Sequence, residues 1–444
     1  MRVSWVRLAI VAVSLAGAFA VAHFLLQGRL LAPWQGQAAF APLYAFVQPV
    51  LRPQAILFAL LAAALAFAAP ILADPLRTSR RSFAMLLLAA SVLLPLSLHL
   101  VRSSFAELGS QFDLYRNEEF LHDARRIADL EGFLDRYIEL MPTLSLHGQH
   151  FPPGHAVLLH LAARFPLPDT LAAGLVALAA AAGGVWLAWK AFEELAEEQA
   201  ARQGALLLLA APALLDFACT SMDAVFLFFA TLAWFLALRA LRRGGAARAW
   251  LAGAALGLAA CFSFSALPLA LAIVLLAILR DRSAWRRTAS FLLHGLAGAA
   301  AFTLLLFAAT GFPIWSCFLE ARRSNAALME HALRVDASSP WASLSLGNAA
   351  AFLAGAGLGL AAASIAGARQ LKSPVALASI LALLAMSFGG VYFLETERIW
   401  LFALPWLAAC AVSGGSFDDR SMRLSIGVGF AQALLAETVL FTLW

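Results

Sequence analysis

The chain has 444 residues, of which 62% are hydrophobic and only 13% are charged. A soluble domain carries about 25% charged residues, so this composition excludes an ordinary soluble protein. The formal net charge of +5 comes from arginines grouped between apolar runs. That pattern indicates control of membrane topology and not nucleic-acid binding.

Apolar runs of about 18 to 22 residues recur along the chain, each long enough to cross the roughly 30 Å hydrocarbon core as a helix. The runs do not alternate polar with apolar residues, which excludes a membrane β-barrel. We predict an all-α polytopic membrane helix bundle with about thirteen transmembrane helices. The first predicted span ends at about residue 26. The other twelve lie at about residues 51–72, 83–101, 170–189, 205–217, 224–240, 250–261, 266–279, 291–310, 346–366, 375–393, 400–412 and 424–444.

The first run follows Arg2 and Arg7, and the segment 18–20 resembles a signal-peptidase site. Because the run continues to Leu26 and is long enough to span, we expect an uncleaved anchor. Lysine and arginine then concentrate in alternate short loops, at residues 77–81, 239–248, 280–287, 369–372 and 420–423. The positive-inside rule therefore predicts a cytoplasmic N-terminus and an outer polar loop.

The outer polar loop covers residues 102–153 and carries apolar residues at helical spacing between Phe120 and Met141. This spacing predicts outer-loop amphipathic helices at the membrane surface. Ahead of them, Glu119 and Asp123 share one face if the segment is helical. When two carboxylates lie so near each other, the pKa of one of them is raised, as a general base requires. The alternative is a solvated loop whose acids balance its arginines.

Three histidines surround a Pro-Pro-Gly turn just before a membrane span: His147, His150 and His155. Pro152 and Pro153 fix an extended backbone and Gly154 permits a close approach, so we expect His150 and His155 to face a cleft. A turn that ends a surface helix would explain the prolines but not the histidines. A zinc site is not favoured, since the spacing matches no helix-face pair.

A third polar cluster, Glu395 to Arg398, lies between two apolar helices where a generic turn would favour Gly, Asn or Pro. Arg398 is suited to clamp a phosphate, with Glu395 or Glu397 holding it or contacting sugar hydroxyls. Two weaker signals are Asp223, which also suits a helix N-cap, and the pair Arg322 and Arg323, which also suits simple interfacial charges.

These motifs together resemble bacterial members of the GT-C membrane glycosyltransferase superfamily, of the mannosyltransferase-like and aminoarabinose-transferase-like group. The resemblance rests on the acidic outer loop, on H-F-P-P-G-H at 150–155, on S-M-D-A-V-F at 221–226 and on E-T-E-R-I-W at 395–400. It extends over about residues 97–405, and the second and fourth motifs are the most specific.

The resemblance implies a polyprenyl-phosphate sugar donor and a glycan, lipid or protein acceptor at the outer face of a bacterial inner membrane. An outer-loop aspartate acts as base on the acceptor hydroxyl; position points first to Asp123, then to Asp113, with Glu119 in support. No cofactor is implied, and a divalent metal is left open. The implied donor and phosphate residues are His150, Pro152, Pro153, His155, Glu395, Glu397, Arg398, Arg322 and Arg323.

In such proteins the acidic loop follows the first helix, yet the loop at 27–50 contains no acid. We therefore expect residues 1–82 to form an added N-terminal transmembrane hairpin and residues 83–444, including the outer loop 102–153, to form the catalytic core.

Two alternatives stay open. A lipid or solute transporter or flippase would place ionisable residues deep within helices and break helices at mid-membrane. Instead the acids cluster at the outer rim, apart from Glu437. The other alternative is a ligase- or polymerase-type enzyme of lipid-linked envelope polymers, which would use outer-loop Arg and His more than Asp.

Overall fold

The computed structural model of the chain describes residues 3, 5–26, 43, 45–114, 119–280, 285–331, 341–368, 373–389 and 395–442. Most of the acid-free loop at 27–50 lies outside these residues. So do residues 115–118 of the acidic loop, residues 281–284 of the arginine cluster at 280–287, and the whole cluster at 369–372.

Helices form nearly all of the regular structure in the described residues. The first nine are α1 (Trp5–Leu26), α2 (Gln54–Ala73), α3 (Arg80–His99), α4 (Gln111–Leu114), α5 (Phe120–Arg125), α6 (Leu130–Asp135), α7 (Tyr137–Leu140), α8 (Leu146–His150) and α9 (Gly154–Ala162). The next seven are α10 (Asp169–Glu193), α11 (Glu198–Leu209), α12 (Pro212–Phe217), α13 (Asp223–Arg243), α14 (Ala246–Ala260), α15 (Ala266–Arg280) and α16 (Trp285–Thr310). The last six are α17 (Ile314–His331), α18 (Trp341–Ala368), α19 (Pro374–Phe388), α20 (Thr396–Ile399), α21 (Leu404–Val412) and α22 (Asp419–Val439).

Single 3₁₀ turns cover Phe105–Glu107, Met141–Thr143 and Leu401–Ala403. One short antiparallel ladder joins β1 (Ala45–Val47) to β2 (Leu440–Thr442), with Val47 opposite Leu440.

Seven helices in the described part of the chain are long and apolar enough to cross a membrane: α1, α2, α3, α10, α13, α16 and the 345–368 part of α18. Four apolar stretches are shorter, namely α14, α15, α19 and the segment 401–412. The predicted all-α polytopic membrane fold is confirmed, and the number of thirteen crossings stays a prediction. The predicted span at 205–217 is divided between α11 and α12, because Pro212 begins a new helix.

Two closely packed helix pairs, α10 with α13 and α18 with α21, bury alanine-rich faces in the core of the bundle, and α11 packs against both α10 and α21. Both N-terminal helices pack on this bundle, α1 against α18 and α2 against α22 and α3. The boundary between a hairpin and a core at residue 82 stays a prediction.

Ion pairs join three helices at one end of the bundle. Arg80 Nη2 lies 2.6 Å from Glu193 Oε2, and both Arg242 and Arg243 contact Glu194, at 3.3 and 3.1 Å. The start of α3 therefore meets the ends of α10 and α13 here, among the arginines of the alternate loops. We call this the arginine end.

The opposite end carries the polar segment from the end of α3 to α9. Its short helices bury their apolar residues against the turn between α16 and α17, where Ile127, Phe133 and Tyr137 pack with Phe312 and Cys317. The predicted amphipathic helices are present, and their apolar sides are covered by protein.

Candidate functional site

A small polar cavity lies at this opposite end, where the polar segment, the start of α13 and helix α20 meet. Its walls combine charged, hydroxyl and aromatic side chains from parts of the chain that are distant in sequence. The lining residues are Glu119, Phe120, His147, Phe151, His155, Thr220, Ser221, Met222, Asp223 and Arg398.

Arg398 supplies the cation of the cavity. It sits in the single-turn helix α20 and is only 7% exposed. Its Nη1 lies 3.3 Å from Asp223 Oδ2, and its Nη2 donates to Glu395 Oε2 at 2.5 Å. Burial by itself lowers the pKa of Arg398, but Asp223, Glu395 and Glu119 more than offset this, so the net pKa is raised and the guanidinium stays charged.

Asp223 opens α13 and turns its carboxylate toward Arg398. The Ser221 hydroxyl donates to Asp223 Oδ2 at 2.8 Å and accepts from the Asp223 backbone N–H at 3.1 Å. The N-cap position belongs to Met222, whose side chain makes no cap. The aspartate therefore serves the cavity, and the hydroxyl of Ser221 holds it there.

Glu119 and His147 form the second charged pair of the cavity. Glu119 Oε2 lies 3.7 Å from His147 Nδ1, and both residues are buried. The imidazole stacks on Phe120 with the ring centroids 5.2 Å apart. Burial lowers the pKa of His147, but the Glu119 carboxylate outweighs it, so the pKa is raised above the ordinary value.

The Pro-Pro-Gly turn places His155 in the cavity wall. The N–H of Gly154 donates to the carbonyl of Cys261 at 2.9 Å, and a Cβ at Gly154 would lie 2.3 Å from that oxygen. Glycine is required because only its bare backbone fits this approach. The ring of His155 lies between Phe120 and Phe262, and burial lowers its pKa to about 3, so it stays neutral.

Asp123, the first predicted base, lies outside the cavity lining. It is fully buried, and its carboxylate accepts the backbone N–H of Ser145 at 2.9 Å and the Ser145 hydroxyl at 2.5 Å. Burial raises the pKa of Asp123, and these two hydrogen bonds lower it in part. Ser145 caps α8 through Gly148, so Asp123 supports the start of the helix that carries His147.

The other predicted acids are divided. Asp113 contacts Arg125 at the protein surface, and Arg125 Nε lies 2.6 Å from Asp169 Oδ2, so this group ties α4, α5 and α10 together. Glu119 alone among the three predicted acids lines the cavity. It precedes α5 with an extended backbone (φ −96°, ψ 142°), so it does not share a helix face with Asp123.

Of the predicted donor residues, too, some line the cavity and others lie elsewhere. His155 and Arg398 line the cavity, whereas His150 contacts Leu146 O at 2.6 Å and Ser324 Oγ at 3.2 Å. Arg322 and Arg323 lie on the exposed side of α17. Pro152 and Pro153 are buried in the turn, and Glu397 is buried beside Gly355.

The cavity thus places a permanent cation beside two carboxylates and two imidazoles, in walls that also present aromatic faces. Among the residues that the structure describes, no group of three or more His, Cys, Asp or Glu side chains is arranged to hold a metal ion. The arrangement suits charge stabilisation by Arg398 and proton transfer by a carboxylate.

Comparison with known proteins gives a family match over part of the chain. The profile of the family described as Dolichyl-phosphate-mannose-protein mannosyltransferase matches residues 150–310, which include the Pro-Pro-Gly turn and Asp223. This match over about a third of the chain supports a membrane glycosyltransferase of the GT-C type. No curated protein matches the sequence.

Sequence patterns did not single out every residue that lines the cavity. His147 stood among the three histidines but was not assigned to the donor site, and Asp223 was a weak signal because an aspartate before an apolar run is a normal helix start. Phe120, Phe151 and Met222 are indistinguishable from core residues in sequence. For that wall the available signal was Ser221, a polar residue two positions before the start of α13.

Proposed function

We propose that the transferase moves a sugar from a polyprenyl-phosphate-linked donor to an acceptor hydroxyl at the outer face of the membrane. One observation carries the proposal: Arg398 and Glu119 are buried in the walls of one cavity, a cation for a phosphate and a carboxylate for a proton. The acceptor hydroxyl belongs to a glycan, a lipid or a protein.

In the reaction, the bond between the anomeric carbon and the phosphate oxygen breaks, and the acceptor oxygen forms a bond to that carbon. Negative charge develops on the departing lipid phosphate, so a fixed guanidinium near it lowers the barrier. Arg398 is suited to this role because two carboxylates hold its position, at 3.3 Å for Asp223 and 2.5 Å for Glu395. A guanidinium can also bind phosphate oxygens in a bidentate manner.

The proton of the acceptor hydroxyl needs a base, and we assign that role to Glu119. Its carboxylate lines the cavity and lies 3.7 Å from His147 Nδ1, which is longer than an ordinary hydrogen bond. Asp123 as the base stays a prediction, but its carboxylate is engaged by Ser145 and lies outside the cavity lining. Asp113 is engaged by Arg125 at the surface.

The imidazoles complete the site. His147, whose pKa is raised by Glu119, is suited to carry a proton between that carboxylate and bulk water. His155 is neutral and buried, so it offers ring nitrogens as hydrogen-bond partners to sugar hydroxyls without adding charge. No step of this mechanism uses a metal ion or other cofactor.

The proposed location is a bacterial inner membrane, with the N-terminus cytoplasmic and the cavity on the periplasmic or extracellular side. The support is the arginine end, which lies opposite the cavity and carries the basic loops between α2 and α3 and after α13. Basic loops remain in the cytoplasm, so the cavity opens outward. Donors in the outer leaflet would reach it there.

The test is sugar transfer from radiolabelled polyprenyl-phosphate hexoses by the purified protein in lipid, with added membrane lipid and glycan extract as the source of acceptor. We expect turnover by the wild type and a loss of about 100-fold or more in Glu119→Gln, because a positioned base contributes about 10²–10⁴-fold. The variant Glu139→Gln, outside the cavity, is the matched control and should retain wild-type turnover.

If the wild type consumes no donor, the transferase proposal is contradicted. The next measurement is then transport of the labelled lipid across vesicle membranes. Full turnover by Glu119→Gln would contradict the assignment of the base alone.

A further inference from the structure

Helix α18 is broken at Gly357, on a side of the bundle that does not line the cavity. Gly357 has φ 83° and ψ 152°, outside the helical region. The break separates the backbone N–H of Leu358 from the carbonyl of Ala354, which would otherwise form an i to i−4 bond. Gln432 of α22 lies between them: its Nε2 donates to Ala354 O at 2.8 Å, and its Oε1 accepts from Leu358 N at 2.9 Å.

One amide thus replaces one helical hydrogen bond while both backbone groups stay paired. An unpaired backbone group inside a membrane protein costs several kcal/mol, so the break depends on this side chain. Position 357 must be glycine, because the backbone has positive φ and a Cβ would lie 2.5 Å from Pro212 Cδ.

The two halves of α18 hold different partners. In the first half, the carbonyl of Asn348 accepts the Thr396 hydroxyl at 2.8 Å, and Phe352 packs edge-on against Trp400 with centroids 5.4 Å apart. These contacts fix both ends of α20. In the second half, Ser364 Oγ lies 2.7 Å from the carbonyl of Leu407 in α21.

The break therefore sets the direction of the first half independently of the second. Arg398 lies between Thr396 and Trp400 in α20, so the direction of the first half decides where its guanidinium stands. A continuous helix through residue 357 would carry Asn348 and Phe352 along a different axis and would take the support of α20 with them.

We propose that Gln432 is a positioning residue, which acts through the break in α18 to hold α20 and Arg398 in the cavity. This inference rests on the proposed function for the role of Arg398 in the reaction, but not for how Arg398 is held in place. Gln432 itself is not among the residues that line the cavity.

The chain offers a matched control in Gln203. Its Nε2 donates to Phe417 O at 2.9 Å and its Oε1 accepts from Phe417 N at 2.7 Å, so it also makes two side chain–backbone hydrogen bonds. Gln203 is 2% exposed and bonds the segment before α22 instead of a helix break. Like Gln432→Leu, the variant Gln203→Leu loses two side chain–backbone hydrogen bonds, but these bonds are not made to α18 or α20.

The experiment is hydrogen exchange of the full-length protein in lipid, followed in peptides that cover residues 395–403. In Gln432→Leu we expect exchange there to accelerate about tenfold or more, because α20 loses its support, with little change in Gln203→Leu. Equal acceleration in both variants, or none in Gln432→Leu, would overturn the proposal. The milder Gln432→Glu keeps the acceptor for Leu358 N and gives the same test if the leucine variant does not fold.

A second arm measures binding of undecaprenyl phosphate to the protein in nanodiscs. We expect Gln432→Leu and Gly357→Ala each to weaken binding about tenfold. Because both substitutions act on one break, the double variant should lose less affinity than the product of the two single losses. Multiplicative losses would contradict a shared mechanism. If the wild type binds no lipid phosphate, the proposed function fails, and the exchange arm alone decides the role of Gln432.

Discussion

Arg398 Nη1 lies 3.3 Å from Asp223 Oδ2, which joins the single-turn helix α20 to the start of α13. The contact brings together two motifs that are far apart in the chain, S-M-D-A-V-F and E-T-E-R-I-W. A buried charge pair is held in place only where both partners keep their hydrogen bonds, here through Ser221 and Glu395. The cavity therefore depends on a cation whose position is fixed before any ligand arrives.

Arg398→Lys is expected to reduce kcat/KM about 100-fold or more, since a lysine lacks the planar fork that meets carboxylate and phosphate together. The matched change Arg323→Lys, on the exposed side of α17, should alter kcat/KM less than about twofold, because an exposed ion pair contributes little. Initial rates at varied donor concentration provide the measurement. Equal losses in the two variants would contradict the cavity as the phosphate site.

Asp123→Asn is expected to destabilise the protein while leaving the turnover of folded molecules within about threefold of wild type. The carboxylate accepts two hydrogen bonds from buried Ser145, and loss of a charged acceptor costs about 1–3 kcal/mol. Thermal unfolding in detergent, paired with the transfer assay, separates stability from rate. A rate loss of about 100-fold at unchanged stability would instead restore Asp123 as the base.

The pair of Glu119 and His147 predicts a pH dependence of stability. The folded pKa of His147 is raised above its unfolded value, so its stabilising contribution is present below the unfolded pKa and is lost as pH rises through the folded pKa. The difference in unfolding temperature between wild type and His147→Gln should therefore shrink as pH rises from about 5.5 to 8. A constant difference across this range would contradict the pairing.

His155, unlike His147, is expected to stay neutral and not to affect the pH–rate profile. Its pKa is lowered to about 3 by burial, so the ring is neutral throughout the range in which the protein is assayed. His155→Asn should weaken donor binding through lost contacts with the sugar, with a rise in KM and an unchanged shape of the pH–rate profile. A shift of that profile would show that His155 titrates and would contradict its neutral role.

The membrane fold and the general location of the site could be predicted from the sequence. Long apolar runs are a local property, and the bilayer requires their backbone to be helical, so the all-α bundle follows without knowledge of any contact. Each of the three polar segments singled out in the sequence also supplies a residue of the cavity: Glu119, His155 and Arg398.

Which residue of each segment reaches the cavity was decided by tertiary structure. The i, i+4 argument paired Glu119 with Asp123 on an assumed helix, but α5 begins at Phe120 and the extended backbone of Glu119 sends the two carboxylates to different surroundings. Asp223 is a site residue because it forms an ion pair with Arg398. The break in α18 is stabilised because Gln432 forms hydrogen bonds with the backbone groups on both sides of it. These choices depend on partners that packing supplies from distant parts of the chain, and no local spacing encodes them.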